Sequence, residues 1–281
     1  MYLILYIVIM LNTYSIDFFL ENIKNAKKCS ARMLCSDQNK KIIVAKIFNY
    51  KFMQDIYKKC TSRDNMIYDK HAKLVITYLL SDTRPLINLF CCNLQMIDIY
   101  DKLSTHGIAI EGNFNINPLT KYPIGYYEGK SLKGTKIIKE ELLNDSMSYL
   151  VIDNHQIINI MYGSELIKYK STGIYTQCVQ GDMLIKDGKD ILIDNDENDD
   201  CGMIVIAKDE NNNTLIIYHQ KINKSNMLLL LHFFKITNAI IICKSDTAHI
   251  VWKESEYNFY NKTDFIGNMY DNVSNIITFS S

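Results

Sequence analysis

From residue 73 onward the chain is built of short apolar runs that alternate with polar positions or are bounded by turn residues. LVITYLL at 74–80 and LINLF at 86–90 read as strands, and a helix is expected over about 96–103. GIAIEGNF at 107–114, YLVID at 149–153, MLIKDGKDILI at 183–193 and MIVIAKDENNNTLIIY at 203–218 form the body of a sheet. The last two carry turn signals, Asp187-Gly188 and Asn211 to Asn213, and read as hairpins. Ser225 is expected to cap an apolar helix, NMLLLLHFFKI, which runs through Thr237 and Asn238 into the strand AIIIC at 239–243. That helix is apolar nearly all round and too short to span a bilayer, so it should lie buried against the sheet, with His232 a satisfied core or interface residue. Upstream, the pattern predicts helices over 17–28 and 51–60 and a strand over 41–48. A polar stretch at 61–70 without either periodicity marks a boundary. The fold class expected is α+β, a strand-rich mixed-sheet body with a few packed helices.

The N-terminus changes the picture. MYLILYIVIML is long enough for the apolar segment of a signal peptide and too short to cross a membrane unaided. Thr13-Tyr14-Ser15 places small residues where a signal peptidase reads, so Ile16 would begin the mature chain. No basic residue precedes the run, which leaves an uncleaved membrane anchor as the alternative. The expected organisation is a signal peptide at 1–15, an extension at 16–70 and the main domain at 71–281. Export to the secretory lumen or the exterior follows, with no other membrane contact.

Charge narrows the partners. Lysine plus arginine equals aspartate plus glutamate at 31 each, so no net field favours nucleic acid. Eight cysteines, at 29, 35, 60, 91, 92, 178, 201 and 243, suit some disulfides in an oxidising compartment, with 105 pairings open. Sequons begin at Asn144, Asn212, Asn223, Asn261 and Asn272, consistent with a glycosylated surface. Metal spacing is absent: there is no paired C-x-x-C, and the acidic run at 194–200 has Asp199 where a calcium loop needs glycine. No metal and no cofactor are expected, and the oligomeric state stays open.

The order of motifs resembles that of the phosphodiester glycosidase domain family, which includes the lysosomal uncovering enzyme and bacterial exopolysaccharide-associated proteins. The resemblance spans about residues 70–281. It rests on Ala109-Ile110-Glu111-Gly112-Asn113-Phe114, on Pro123-Ile124-Gly125-Tyr126-Tyr127-Glu128-Gly129-Lys130, on Gly181-Asp182-Met183-Leu184, and on the helix and strand at 228–242. Departures are equally specific. Glu111 stands where the family has asparagine and Asp182 where it has proline. In the terminal turn, Cys243 replaces aspartate and Lys244 replaces glycine, with Thr247 as the hydroxyl equivalent.

The resemblance implies a site for a carbohydrate or sugar-phosphodiester ligand. Cleaving such a bond requires groups that hold a phosphate, stabilise an oxocarbenium-like centre and move a proton. Asp246 and His249 are a candidate acid/base pair or a polar turn and strand residue. Glu111 is a candidate general acid and Asn113 a hydroxyl-binding amide, or both belong to a strand-end turn. Gln177 and Gln180 either line the same cleft or are ordinary strand residues, and the Lys244 ammonium can pair with phosphate. Two functions remain open: a hydrolase with a diverged site, and a catalytically inactive glycan-binding protein on the same fold.

Overall fold

The computed structural model describes residues 31–36, 42–47, 74–79, 86–104, 107–112, 127–131, 136–139, 145–174, 176–191, 200–245, 248–253, 265–268 and 270–280. The leader, the helices expected over 17–28 and 51–60 and most of the acidic run lie outside these residues. The strands are β1 (Ala31–Ser36), β2 (Ile42–Ile47), β3 (Leu74–Leu79), β4 (Leu86–Gln95), β5 (Ile108–Glu111), β6 (Tyr127–Ser131), β7 (Lys136–Lys139), β8 (Ser148–Asp153) and β9 (Ile158–Tyr162). They continue as β10 (Thr176–Lys186), β11 (Lys189–Asp190), β12 (Cys201–Asp209), β13 (Thr214–Ile222), β14 (Ile236–Lys244), β15 (Ile250–Trp252), β16 (Phe265–Ile266) and β17 (Asn272–Ser280). Among the described residues three helices accompany them: α1 (Met96–Lys102), α2 (Gly163–Ser171) and α3 (Lys224–Phe233).

Two sheets stack face to face. The first runs β1-β2-β3-β13-β12-β14-β10-β11, antiparallel throughout. The second begins β9-β8-β10-β6, with β7 on the far side of β6. It continues from β6 through a parallel pairing to β4, then β17, β5, β15 and β16. The single long strand β10 therefore belongs to both sheets: Thr176 to Gly181 pair with β8, and Asp182 to Ile185 pair with β14. Gly181 stands at the handover, where a Cβ would meet the Ile241 carbonyl at 2.5 Å, so only glycine lets the backbones pass this closely.

The period of two assigns each strand residue to a layer. On β12, Ile204 and Ile206 face the other sheet and join Leu89, Ile110, Ile152 and Ile277 in the central core. Met203, Val205 and Ala207 face outward, where Met227, Leu230 and Leu231 of α3 cover them. Because both faces are buried, the strand reads as an unbroken apolar run rather than an alternation. On the outer face of the second sheet, α1 packs Met96, Ile99 and Tyr100 onto Ala109, Val251 and Ile276. Leu166 of α2 closes Tyr149, Val151 and Cys178. Each such side chain removed from water contributes about 2 kcal/mol. The result is a helix–sheet–sheet–helix stack, an α+β arrangement with one parallel pair in an otherwise antiparallel body.

Both expected hairpins form, and their turns carry Asp187 at φ 51°, Gly188 at φ 75° and Asn212 at φ 61°. Two details differ from the sequence reading. The cap of α3 is Asn223, whose side chain accepts from the Asn226 amide at 2.9 Å; Ser225 is already inside the helix, which starts two residues earlier than the hydroxyl suggested. His232 is not in the core: it projects from the helix away from Met227, Leu230 and Leu231 and meets Asp190 at 2.8 Å on the surface. Cys178, Cys201 and Cys243 are thiols, not halves of disulfides. Among the described residues no helix is long and apolar enough to cross a membrane.

Candidate functional site

Three neighbouring strands of the second sheet bring the strongest polar cluster together. β5 lies between β15 and β17 and is antiparallel to both. The end of β5 therefore meets the beginnings of the other two. Glu111 is the last residue of β5, His249 immediately precedes β15, and Asp271 immediately precedes β17. The Glu111 amide donates to the His249 carbonyl at 3.0 Å, which fixes the register of the first pair. The Met96 amide donates to the Asp271 carbonyl at 3.3 Å, which ties the third residue to the start of α1.

The side chains form a chain of contacts. His249 Nδ1 lies 2.6 Å from Glu111 Oε2, and Nε2 lies 3.1 Å from Asp271 Oδ2. Both ring nitrogens thus face carboxylate oxygens, which only accept when ionised. Both contacts are hydrogen bonds only when the ring is the doubly protonated imidazolium. Burial alone would push the imidazole down, but the hydrogen bond and charge of Glu111, and then of Asp271, outweigh it and hold His249 above its ordinary value. One imidazolium against two carboxylates leaves the cluster with negative charge in excess.

Accessibility grades the three. The His249 side chain is 4% exposed, Glu111 19% and Asp271 38%, so Asp271 is the member that meets solvent. Its other oxygen accepts from Asn268 Nδ2 at 2.7 Å. Gly267 lies against the imidazole: a Cβ there would collide with His249 Cδ2, and the residue adopts φ 111°, which side chains rarely tolerate. The cluster can hold a proton on His249 and present a positioned carboxylate, Asp271, to a ligand.

The residues singled out in the sequence fall in different places. Glu111 and His249 come together directly. Asn113, Asp246 and Thr247 lie outside the described residues. Gln177 is buried, and its Oε1 accepts from the Leu89 amide at 3.0 Å where β4 and β10 approach each other, a bond within the sheet. Gln180 donates to Met147 Sδ at 3.3 Å. Lys244 ends β14 opposite Met203, half-buried. Beyond it, the Ser245 amide donates to the Gly202 carbonyl and the Ala248 amide to the Ser245 carbonyl. The histidine partners are thus Glu111, 138 positions away, and Asp271, 22 positions away. Asp271 escaped the sequence reading. Its signal was the turn-forming Asn268 three residues before it, followed by a strand run with Val273, Ile276, Ile277 and Phe279 buried.

No protein-family model and no curated protein matches the sequence. Among solved structures, the chain is similar to the catalytic domain of zebrafish N-acetylglucosamine-1-phosphodiester alpha-N-acetylglucosaminidase, auto-inhibited by its pro-peptide: 9% identity over 90% of this chain and 88% of that one, with a TM-score of 0.54. A hypothetical protein from Synechocystis is similar over 85% of this chain and 62% of that one, at 10% identity and a TM-score of 0.48. The first likeness is one of fold.

Proposed function

We propose that the protein is an exported hydrolase acting on a carbohydrate phosphodiester, with Asp271 as its substrate-facing carboxylate and His249 and Glu111 as the groups behind it. The observation that carries this reading is the contact chain Glu111–His249–Asp271 at the end of three adjacent strands. In the reaction, Asp271 accepts a proton from a water that attacks the anomeric carbon. The bond from that carbon to the phosphate oxygen breaks, and the phosphate leaves as a monoester, which needs no proton to depart because its own acidity is high. The imidazolium holds Asp271 in place and, through Glu111, keeps its orientation. Export rests on the apolar leader, and Ile16 as the first residue of secreted material would support it.

The test is hydrolysis of a panel of nucleotide-sugars and sugar phosphodiesters by the purified mature chain. Turnover that disappears in Asp271→Asn supports the proposal; no release of sugar from any substrate between pH 5 and 8 overturns it. One observation favours a second reading, a sugar-binding protein without turnover. Cys243 occupies the position where the resemblance places an aspartate, and it is 1% exposed in the central core, so that position offers no carboxylate to a ligand. Sugar binding with no hydrolysis would decide for it.

A further inference from the structure

Tyr270 is the most exposed large apolar side chain among the described residues, at 67%. Single exposed apolar residues need no explanation, but this one is neither isolated nor loose. It directly precedes Asp271, and the turn that carries it is fixed from several directions. The Tyr270 amide donates to Asn268 Oδ1 at 3.2 Å, the Asp271 amide donates to the Asn268 carbonyl at 3.1 Å, and Asn268 Nδ2 donates to Asp271 Oδ1 at 2.7 Å. Gly267, at the other end of the turn, is seated on the His249 ring. An exposed aromatic residue therefore stands on braced backbone, one position from the half-exposed carboxylate of Asp271.

We infer that Tyr270 is a stacking platform for a pyranose ring, and so a specificity-determining residue of the site; this rests on the reading of Asp271 as the substrate-facing carboxylate. The chemistry matches on both sides. One face of a pyranose presents C–H groups, which are weakly positive, and the face of a tyrosine ring is negative. The hydroxyls at the sugar's edge donate well to a carboxylate such as Asp271. A braced turn loses little freedom when the ligand arrives, so more of the contact energy appears as affinity. The ring touches the sugar away from the bond that breaks, so it should bind ground state and transition state alike.

The experiment compares Tyr270→Ala and Tyr270→Phe with the wild-type mature chain, using the best substrate of the nucleotide-sugar and sugar-phosphodiester panel. Alanine should raise KM roughly three- to tenfold with kcat within about twofold, and phenylalanine should restore most of the affinity. If the wild type binds without turnover, saturation-transfer NMR with N-acetylglucosamine and methyl glucoside should show the same loss in Tyr270→Ala and the same recovery in Tyr270→Phe. An unchanged KM or binding signal in Tyr270→Ala, with the wild type active or sugar-binding, overturns the platform and leaves the site reading standing. A kcat that falls along with a lowered melting temperature also overturns it, because that marks a structural role. A wild type that neither turns over nor binds any of these sugars overturns the site reading and the platform together.

Discussion

Carboxylates at strand ends do two different kinds of work in this molecule. Asp153 and Asp209 each organise a hairpin, the first between β8 and β9, the second between β12 and β13. Asp153 Oδ1 accepts from the His155 and Ile157 amides at 2.8 and 2.9 Å, and Asp209 Oδ1 accepts from the Asn211 and Asn213 amides at the same two distances. Each places a residue with positive φ three positions on, Gln156 at 63° and Asn212 at 61°. Each also receives a tyrosine hydroxyl on Oδ2, from Tyr169 and Tyr78. The two sheets thus use one turn design twice. Glu111 and Asp271 share a single imidazole instead, reached across three strands. A carboxylate met by neighbouring N–H groups has a fixed local environment. One met by a histidine has partners whose protonation can change, and with it the contacts of both acids.

The largest test of that contrast exchanges one acid on each side. Asp271→Asn should lower kcat at least about 100-fold on the best substrate of the panel while leaving urea stability nearly unchanged. Asp209→Ala should do the reverse, because Asn213 Nδ2, the buried Asn213 amide and the Tyr78 hydroxyl lose their acceptor: a loss of about 3 kcal/mol by urea denaturation with kcat intact. Gly267→Ala comes next. It drives a methyl into the imidazole at a positive φ, and should cost about 2 kcal/mol and displace the pH–rate profile. The charge of His249 itself gives a further test. Its folded value is held above the ordinary 6.5, so its contribution to stability is complete below that pH and is lost as the pH rises through the raised value. Urea midpoints measured from pH 5.5 upward should decline over that window, and His249→Gln should remove the decline. The smallest effect belongs to the local class: Asn212→Gly suits the same positive φ and should shift stability by no more than about 0.5 kcal/mol.

The same contrast explains what was legible in the sequence. Asp187-Gly188 and the Asn211 to Asn213 cluster announced their hairpins because the signal is carried by adjacent residues. The strand at 236–244 is readable as an unbroken apolar run because both its faces are buried, and the helix before it because one face is covered by the sheet. Asp271 was not, because nothing within four residues of it contains a histidine or a glutamate; its partner arrives only when β15, β5 and β17 align. Glu111 is marked by the resemblance and His249 by its spacing from Asp246, and neither signal marks the bond between them. Gln177 illustrates the opposite case: a polar residue in a strand reads as a candidate ligand group, and only the meeting of β4 with β10 shows that its amide completes a backbone bond.

The shared strand β10 has a mechanical consequence. Its first half is a rung of one sheet and its second half a rung of the other, joined through Gly181 without a loop that could act as a slip joint. Neither sheet can peel open while leaving β10 intact in the other, so the two should melt as one cooperative unit. In amide hydrogen exchange, Val179 on one side of the handover and Leu184 on the other should open with the same free energy, that of global unfolding.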